Sequence, residues 1–206
     1  GIFAHGARVS GKPDTAKQFF GHVGSIAQFN EAVEDGGGMY IGGSLEASVA
    51  DFNFTFNKGR RGGGVFVGGP AFLTSIDVSG NEATWHGGGL HIATNSKAAF
   101  VSLGQSVVGY NTAAKGYDGG GVYVGSGVFN MSRTLVHLNS AARGGGVMIS
   151  GNVSVCHIAE STLEFNTASG PGGGGIGAID LATAVVVDSL IKQNKATGSG
   201  EWGRGG

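Results

Sequence analysis

The sequence has few of the residues that define several common protein classes. Its 206 residues include one cysteine, three prolines and only 13% charged residues. A single cysteine excludes an intrachain disulfide framework, and scarce proline without glycine at every third position excludes collagen. Because the chain has 13 basic and 14 acidic residues, no basic surface for nucleic acid is expected. No apolar run approaches the roughly 18 residues of a membrane-spanning helix, so no membrane insertion is expected either.

Cysteine and histidine are not arranged as metal ligands. Cys156 lies in a β-branched run, where it is expected to act as a small buried apolar residue. The six histidines follow no ligand spacing; they are His5, His22, His86, His91, His137 and His157. The sequence therefore predicts neither a metal site nor a cofactor.

Glycine, in contrast, is abundant, and it recurs at intervals. There are 43 glycines, roughly three times the usual usage. Five triplets precede an aliphatic–x–aliphatic pattern, and a looser sixth copy follows. They start at Gly36, Gly62, Gly87, Gly119, Gly144 and Gly172, at intervals of 26, 25, 32, 25 and 28 residues.

A second marker repeats out of phase with the glycines. It is an apolar residue, two free positions and an asparagine, usually with alanine two positions later. The asparagines are Asn30, Asn57, Asn81, Asn111, Asn139, Asn166 and Asn194. Both markers recur about every 27 residues. We expect the seven asparagines to form a structural ladder, each side-chain amide bonding to the next.

The repeat unit consists of strands, which predicts an all-β fold. Val, Ile, Phe, Tyr and Thr dominate runs such as Asp51-Phe52-Asn53-Phe54-Thr55-Phe56, and no amphipathic helical stretch appears. Units of this length cannot bury a face alone, so neighbouring units must stack. The prediction is a right-handed parallel β-helix of about seven coils, each with three short strands. Residues 1–206 are expected to form a single segment of a longer array, because both ends read as interrupted triplets.

The two markers resemble the repeats of the chlamydial polymorphic outer membrane proteins. The best copy runs from Phe54-Thr55-Phe56-Asn57 to Gly62-Gly63-Gly64-Val65; the other copies have Ala, Val, Leu or Ile in place of that phenylalanine. The glycine motif also departs from the family, which more often has Gly-Gly-Ala. The resemblance implies a right-handed β-helix displayed outside the cell, often adhesive.

The middle residue of each strand after a glycine triplet is expected to point outward, because its two neighbours are aliphatic. Stacked coils would align these residues as a stripe. Three interpretations stay open: a self-stabilising ladder, an interface with proteins or further copies, and a platform for glycans. The stripe consists of Phe3, Tyr40, Phe66, His91, Tyr123 and Met148.

The connections from each asparagine to the next glycine triplet vary and carry many of the charges, together with Trp85 and Trp202. Such loops at one edge of a solenoid often carry binding, although solvated turns are the simpler interpretation. A polysaccharide lyase or hydrolase would need clustered carboxylates. The acids are scattered, and only Glu160 and Asp188 are expected in adjacent coils, so no catalysis is predicted.

Three N-glycosylation sequons are present, at Asn53, Asn130 and Asn152. Alternation places Asn53 outward, which makes it the best candidate acceptor. The sequence as a whole predicts a non-catalytic structural or adhesive β-helix, located outside the cell or on its surface. Its expected partners are further copies, other surface proteins or glycans. The alternative is a carbohydrate-binding or carbohydrate-cleaving β-helix.

Overall fold

The computed structural model describes residues 2–5, 18–20, 24–94 and 99–198. All regular structure in these residues is β-strand, and every strand pairing is parallel. Each strand pairs with its counterpart about one repeat away, so the chain winds into a stacked solenoid of about six turns. The predicted all-β parallel β-helix is confirmed. The described residues contain no helix with the length and apolarity needed to cross a membrane.

Three sheets run along the solenoid, and each receives one strand from every coil. The first sheet follows the glycine triplets and contains β1 (Ile2–His5), β4 (Met39–Gly42), β8 (Val65–Val67), β12 (Leu90–Ala93), the start of β16 (Val122–Ser132), β19 (Val147–Ser150) and β23 (Ile176–Ile179). The second contains β2 (Gln18–Phe20), β5 (Ala47–Ala50), β9 (Ala71–Thr74), β13 (Phe100–Gly104), the end of β16, β20 (Ser154–Ala159) and β24 (Thr183–Val187). The third precedes the asparagines and contains β3 (Ser25–Gln28), β6 (Phe52–Thr55), β10 (Asp77–Ser79), β14 (Val107–Gly109), β17 (Leu135–His137), β21 (Thr162–Glu164) and β25 (Leu190–Lys192).

A fourth, minimal sheet adds to the three strands expected per coil. Its strands are two residues long and directly follow the asparagines: β7 (Lys58–Gly59), β11 (Glu82–Ala83), β15 (Thr112–Ala113), β18 (Ser140–Ala141), β22 (Thr167–Ala168) and β26 (Lys195–Ala196). Each ends on the small residue of the Asn-x-Ala marker. Two residues are too few to give a periodic pattern, which is why the sequence did not predict this sheet.

The core lies inside the coil and is built by period-two alternation. In β9, for example, Ala71 and Leu73 are buried while Phe72 and Thr74 are exposed. The largest fully buried side chains include Phe54, Phe129 and Leu73. Cys156 is buried in the same core, as predicted. Removal of these apolar side chains from water is the main force that holds the stacked coils together.

The three glycines of a triplet are required for three different reasons, as Gly119-Gly120-Gly121 illustrates. Gly119 has a φ of 69°, a conformation in which L side chains are strained. A Cβ on Gly120 would lie 2.5 Å from the carbonyl oxygen of Gly145 in the next coil, and one on Gly121 would lie 2.9 Å from Nδ2 of Asn139. The triplet is therefore the point of closest approach between neighbouring coils.

The sixth triplet is placed one residue later than the sequence suggested. Ile176 pairs with Val147, so Gly173-Gly174-Gly175 occupies the positions of the earlier triplets. A Cβ on Gly175 would lie 2.9 Å from Nδ2 of Asn194, as at the third glycine of the other coils. Gly172 belongs to the preceding connection. A run of four glycines has no internal landmark, which explains the shift.

We expect Gly120→Ala to lower the free energy of unfolding by about 3 kcal/mol or more, because the added methyl group would clash with backbone atoms of the next coil. Gly104→Ala is the matched control, since a Cβ there would meet only Oγ of Ser132, at 3.7 Å. Chemical denaturation of both variants measures the difference. Equal stability of the two would contradict this account of the triplet.

Candidate functional site

The asparagines form a continuous hydrogen-bonded ladder inside one corner of the coil. The backbone N–H and Nδ2 of Asn111 both donate to Oδ1 of Asn139, at 2.9 and 3.0 Å. Nδ2 of Asn111 also donates to the carbonyl oxygen of Val78, at 2.8 Å, and Oδ1 accepts two hydrogen bonds from Asn81. The same pattern runs from Asn30 to Asn194. Every side-chain amide within the ladder therefore has hydrogen-bond partners in both neighbouring coils.

This corner bends through a left-handed residue directly before each asparagine. Apart from Gly80, these residues carry side chains despite φ values near 55°, a region that bulky residues normally avoid. Five of the side chains are large and apolar, and they are 42–72% exposed. We call this set the corner ridge; it consists of Phe29, Phe56, Tyr110, Leu138 and Phe165.

The corner ridge is an apolar line with polar borders, and Gly80 interrupts it between Phe56 and Tyr110. Phe29 and Phe56 stack with their ring centroids 5.4 Å apart, and the ring of Phe56 covers Gly80 in the next coil. The rows beside the ridge are polar: Thr55 and Glu164 belong to one, and Lys58, Glu82 and Thr112 to the other. An exposed apolar surface with a polar rim is typical of a protein interaction site.

A second left-handed corner in the same coils provides an internal comparison. It lies between the second and third sheets, with φ values of 47–53°. Every residue there is polar and exposed: Asp51, Ser75, Gln105, Arg133, Glu160 and Asp188. The left-handed conformation alone therefore does not call for apolar side chains. The corner ridge was not predicted from the sequence, although its signal is plain once the residue before each asparagine is compared between coils.

A hydroxyl ladder behind this second corner was also missed. Oγ of Ser161 accepts the backbone N–H of Thr134 at 3.2 Å and donates to the carbonyl oxygen of Ala159 at 2.7 Å. Ser106 and Ser189 repeat the arrangement. These residues lie five positions before an asparagine of the ladder, a spacing that could have revealed them. Phe52 and Ile76 replace the hydroxyl in the earlier coils.

The predicted stripe is aligned, but it is largely covered. Tyr40 stacks on Phe66, Phe66 on His91 and His91 on Tyr123, with ring centroids 4.9–5.3 Å apart. Phe66, His91 and Met148 are nevertheless buried, so the expectation of an exposed stripe is wrong for these three. Tyr40 and Tyr123 are partly buried. Phe3 pairs in register with Tyr40, and its side chain lies outside the described part of the structure.

The residues directly before the glycine triplets cover this stripe. They form a column of two acid–base pairs with a histidine between them: Asp35, Arg61, His86, Asp118 and Arg143. Arg143 pairs with Asp118 through two hydrogen bonds, and Arg61 pairs with Asp35 in the same way. The guanidinium of Arg61 lies 5.0 Å from the centre of the Phe66 ring, and the His86 ring stacks on Tyr123 at 4.5 Å. The stripe is thus sandwiched between the sheet and this column.

Burial changes the acid–base behaviour of the covered groups. Desolvation lowers the pKa of His91 to about 3, and it also lowers the pKa of His86 against the opposing effect of Asp118. The hydrogen bonds that Arg61 and Arg143 donate to Asp35 and Asp118 raise the pKa of each guanidinium above its ordinary value. His91 is therefore neutral in the folded protein at physiological pH.

The variable connections form small clusters at the loop edge. Trp85 is exposed; it stacks on Tyr117 at 5.8 Å, and the guanidinium of Arg60 lies 4.8 Å from its ring. Arg60 in turn pairs with Glu34. Trp202 lies outside the described residues.

The candidate acids and acceptor asparagines fall at separate places. Glu160 and Asp188 stand at adjacent rungs of the second left-handed corner, both exposed. In the described ranges, no three His, Cys, Asp or Glu residues form a group that could hold a metal ion. Asn53 and Asn152 are exposed and Asn130 is partly buried, while glycosylation itself stays a prediction.

Burial raises the pKa of the Cys156 thiol to about 12.

Comparison with known proteins gives one relevant similarity. The chain is 28% identical over 168 residues to a protein of Chlamydia pneumoniae described as "Probable outer membrane protein pmp20". The aligned region covers 69% of this chain and 10% of that protein, so the chain spans about a tenth of its relative. No family model and no solved structure matches the sequence. Together with the β-helix, this similarity confirms the predicted resemblance to polymorphic outer membrane protein repeats.

We expect Asn111→Ala to lower the free energy of unfolding by about 3–5 kcal/mol, because buried hydrogen bonds of the ladder are lost. The backbone N–H of Asn81 loses its acceptor, and Nδ2 of Asn81 keeps only its hydrogen bond to the carbonyl oxygen of Phe54. The carbonyl oxygen of Val78 loses the Asn111 donor. The control is Asn53→Ala, which removes an exposed asparagine from a neighbouring strand and should change stability by less than about 0.5 kcal/mol. Denaturant titration of protein produced in bacteria compares the two. A small effect at Asn111 would show that the ladder is dispensable.

We also expect acid to destabilise the fold through His91. The unfolded chain binds a proton at an ordinary pKa near 6.5, whereas folded His91 binds it only near 3. The contribution of His91 to the free energy of unfolding is therefore complete above pH 6.5. It is lost at about 1.4 kcal/mol per pH unit as the pH falls towards 3.

The His91→Phe variant, which continues the stack between Phe66 and Tyr123, should remove this part of the pH dependence. The measurement is the free energy of unfolding between pH 7 and pH 4 for both proteins. His157→Phe, at an exposed position on the second sheet, serves as the control and should keep the native slope. Identical slopes for native protein and His91→Phe would exclude the proposed role of His91.

Proposed function

We propose that this chain is a non-catalytic segment of a cell-surface protein, and that its corner ridge binds protein partners. The similarity to a chlamydial outer membrane protein supports the location. The observation that carries the binding role is the corner ridge itself, a line of exposed apolar side chains at positive φ. We assign the binding surface to this ridge rather than to the stripe of Tyr40, Phe66, His91, Tyr123 and Met148, which is largely buried.

The comparison of the two left-handed corners supports this assignment. A bulky side chain at positive φ costs about 1–2 kcal/mol relative to the usual backbone regions. The second corner accepts small and polar residues under the same constraint. Aromatic side chains at the ridge gain little burial in the free protein, since Phe29 is 72% and Tyr110 is 60% exposed. Burial against a partner would give these side chains the contacts that they lack in the isolated chain.

The absence of catalysis is part of the proposal, and the positions of the candidate acids support it. Glu160 and Asp188 share their corner with Ser75, Gln105 and Arg133. The position thus serves as a bend in every coil, whatever its side chain. Further copies of the chain, or other surface proteins, are the expected partners of the ridge.

Four substitutions test the ridge: Phe29→Asn, Phe56→Asn, Tyr110→Asn and Phe165→Asn in one chain. Asparagine tolerates positive φ, so the fold should remain or become more stable, while binding should fall at least tenfold. Sedimentation velocity measures self-association. Flow cytometry of labelled protein on cultured epithelial cells measures binding to other surfaces.

The matched control carries the same substitution at the other left-handed corner: Asp51→Asn, Ser75→Asn, Glu160→Asn and Asp188→Asn. Its association should equal that of the native protein. The proposal fails if the ridge variant folds and binds as the native chain does. Polysaccharide cleavage by the native chain that disappears in the control variant would overturn the non-catalytic assignment.

A further inference from the structure

The outward face of the second sheet contains a groove of about 430 Å³, on a different side from the corner ridge. Its floor is a row of small residues in register across four coils: Thr74, Gly104, Ser132 and Ala159. Gly104 contributes no side chain, and a Cβ there would meet nothing nearer than Oγ of Ser132, at 3.7 Å. The groove is therefore a direct result of small residues in one row of the sheet.

Aromatic rings line one end of the groove. Phe72 and Phe100 lie with their ring centroids 5.9 Å apart and their planes tilted by 45°. Both rings are partly exposed. The row that contains Phe72 continues through Ser102, Asn130 and His157, one residue per coil. The groove thus changes from aromatic to polar along the solenoid axis, over roughly 14 Å at the usual spacing of strands.

One polar atom in the groove has no partner. The carbonyl oxygen Oδ1 of Asn130 is buried, yet it accepts no hydrogen bond within the described structure. Buried acceptors are almost always satisfied, and one that is not costs about 1–3 kcal/mol. Because Oδ1 is buried while the residue is only partly so, a ligand hydroxyl could donate to it only after the Asn130 side chain turns towards the groove. That hydrogen bond would remove the cost.

One amide and one charged side chain complete the lining on the side of the second left-handed corner. Gln105 and Arg133 lie there, and no carboxylate lines the groove. Glu160 stands at the next rung of that corner, outside the lining. The groove therefore presents aromatic faces, amide groups, hydroxyls, an imidazole and one guanidinium.

We propose that this groove binds a saccharide. A pyranose ring has an apolar C–H face, which suits Phe72 and Phe100, and a rim of hydroxyls, which suits Asn130, Ser102 and His157. A purely apolar ligand would leave Oδ1 of Asn130 unsatisfied. An extended peptide would require unpaired backbone groups at a sheet edge, whereas the strands that form this face are paired on both sides.

The test uses two hexasaccharides, cellohexaose as the neutral probe and a hyaluronan hexamer as the acidic probe, each titrated into the native chain by isothermal calorimetry. We expect at least one of them to bind. Gly104→Leu should reduce its affinity at least tenfold, because the side chain fills the groove. Phe72→Ala, an exposed position that does not threaten the fold, should weaken binding to a similar extent. Arg133→Gln should weaken only the acidic probe.

Gly104→Ala and the four-residue ridge variant are the controls. The ridge variant should bind saccharide as the native chain does, so failure of this inference and failure of the proposed protein-binding role are distinguishable. The inference is overturned if neither probe binds at millimolar concentration, or if Phe72→Ala and folded Gly104→Leu both bind as tightly as the native chain.

Discussion

The hydrogen-bonded asparagine ladder is the interaction on which the rest of this structure depends. Each amide must accept from one neighbouring coil and donate to the other, so a ladder position tolerates no residue with a different set of donors and acceptors. The ladder lies at the inside of a corner and is buried from Asn57 to Asn166. In such surroundings a partly satisfied network would cost more than an apolar one. The asparagine recurs in every coil because each one supplies hydrogen-bond partners to the asparagines of the neighbouring coils.

Two other features follow from the ladder. The third glycine of each triplet lies against an asparagine amide, where a Cβ would come within about 3 Å of Nδ2. The residue before each asparagine must adopt positive φ to bring the amide inward, and its own side chain is thereby directed to solvent. The buried ladder and the exposed corner ridge are therefore two sides of one backbone bend. Their separation of roles is clear at Phe56 and Asn57, which are adjacent in sequence but exposed and buried respectively.

The fold could be predicted from the sequence because two independent markers had the same period, and period is a property that stacking preserves. The stripe could be placed in register for the same reason, since alternation decides which face a side chain occupies. Its exposure could not be predicted, because the cover comes from Arg61 and His86, whose side chains reach the rings from a separate connection. The corner ridge was missed because it rests on positive φ at non-glycine residues, which alternation does not reveal.

The two left-handed corners share a backbone requirement, positive φ, but differ in the side chains that they present to solvent. Both corners occur in every coil from Asn57 to Asn194 and impose nearly the same φ, so backbone strain cannot explain why one carries Phe56, Tyr110 and Phe165 while the other carries polar residues. Core packing cannot explain it either, since both sets of side chains point away from the core. This contrast between the two corners is the observation on which the proposed protein-binding role of the corner ridge rests. The solenoid thus holds a polar edge and a largely apolar edge on one repeating backbone.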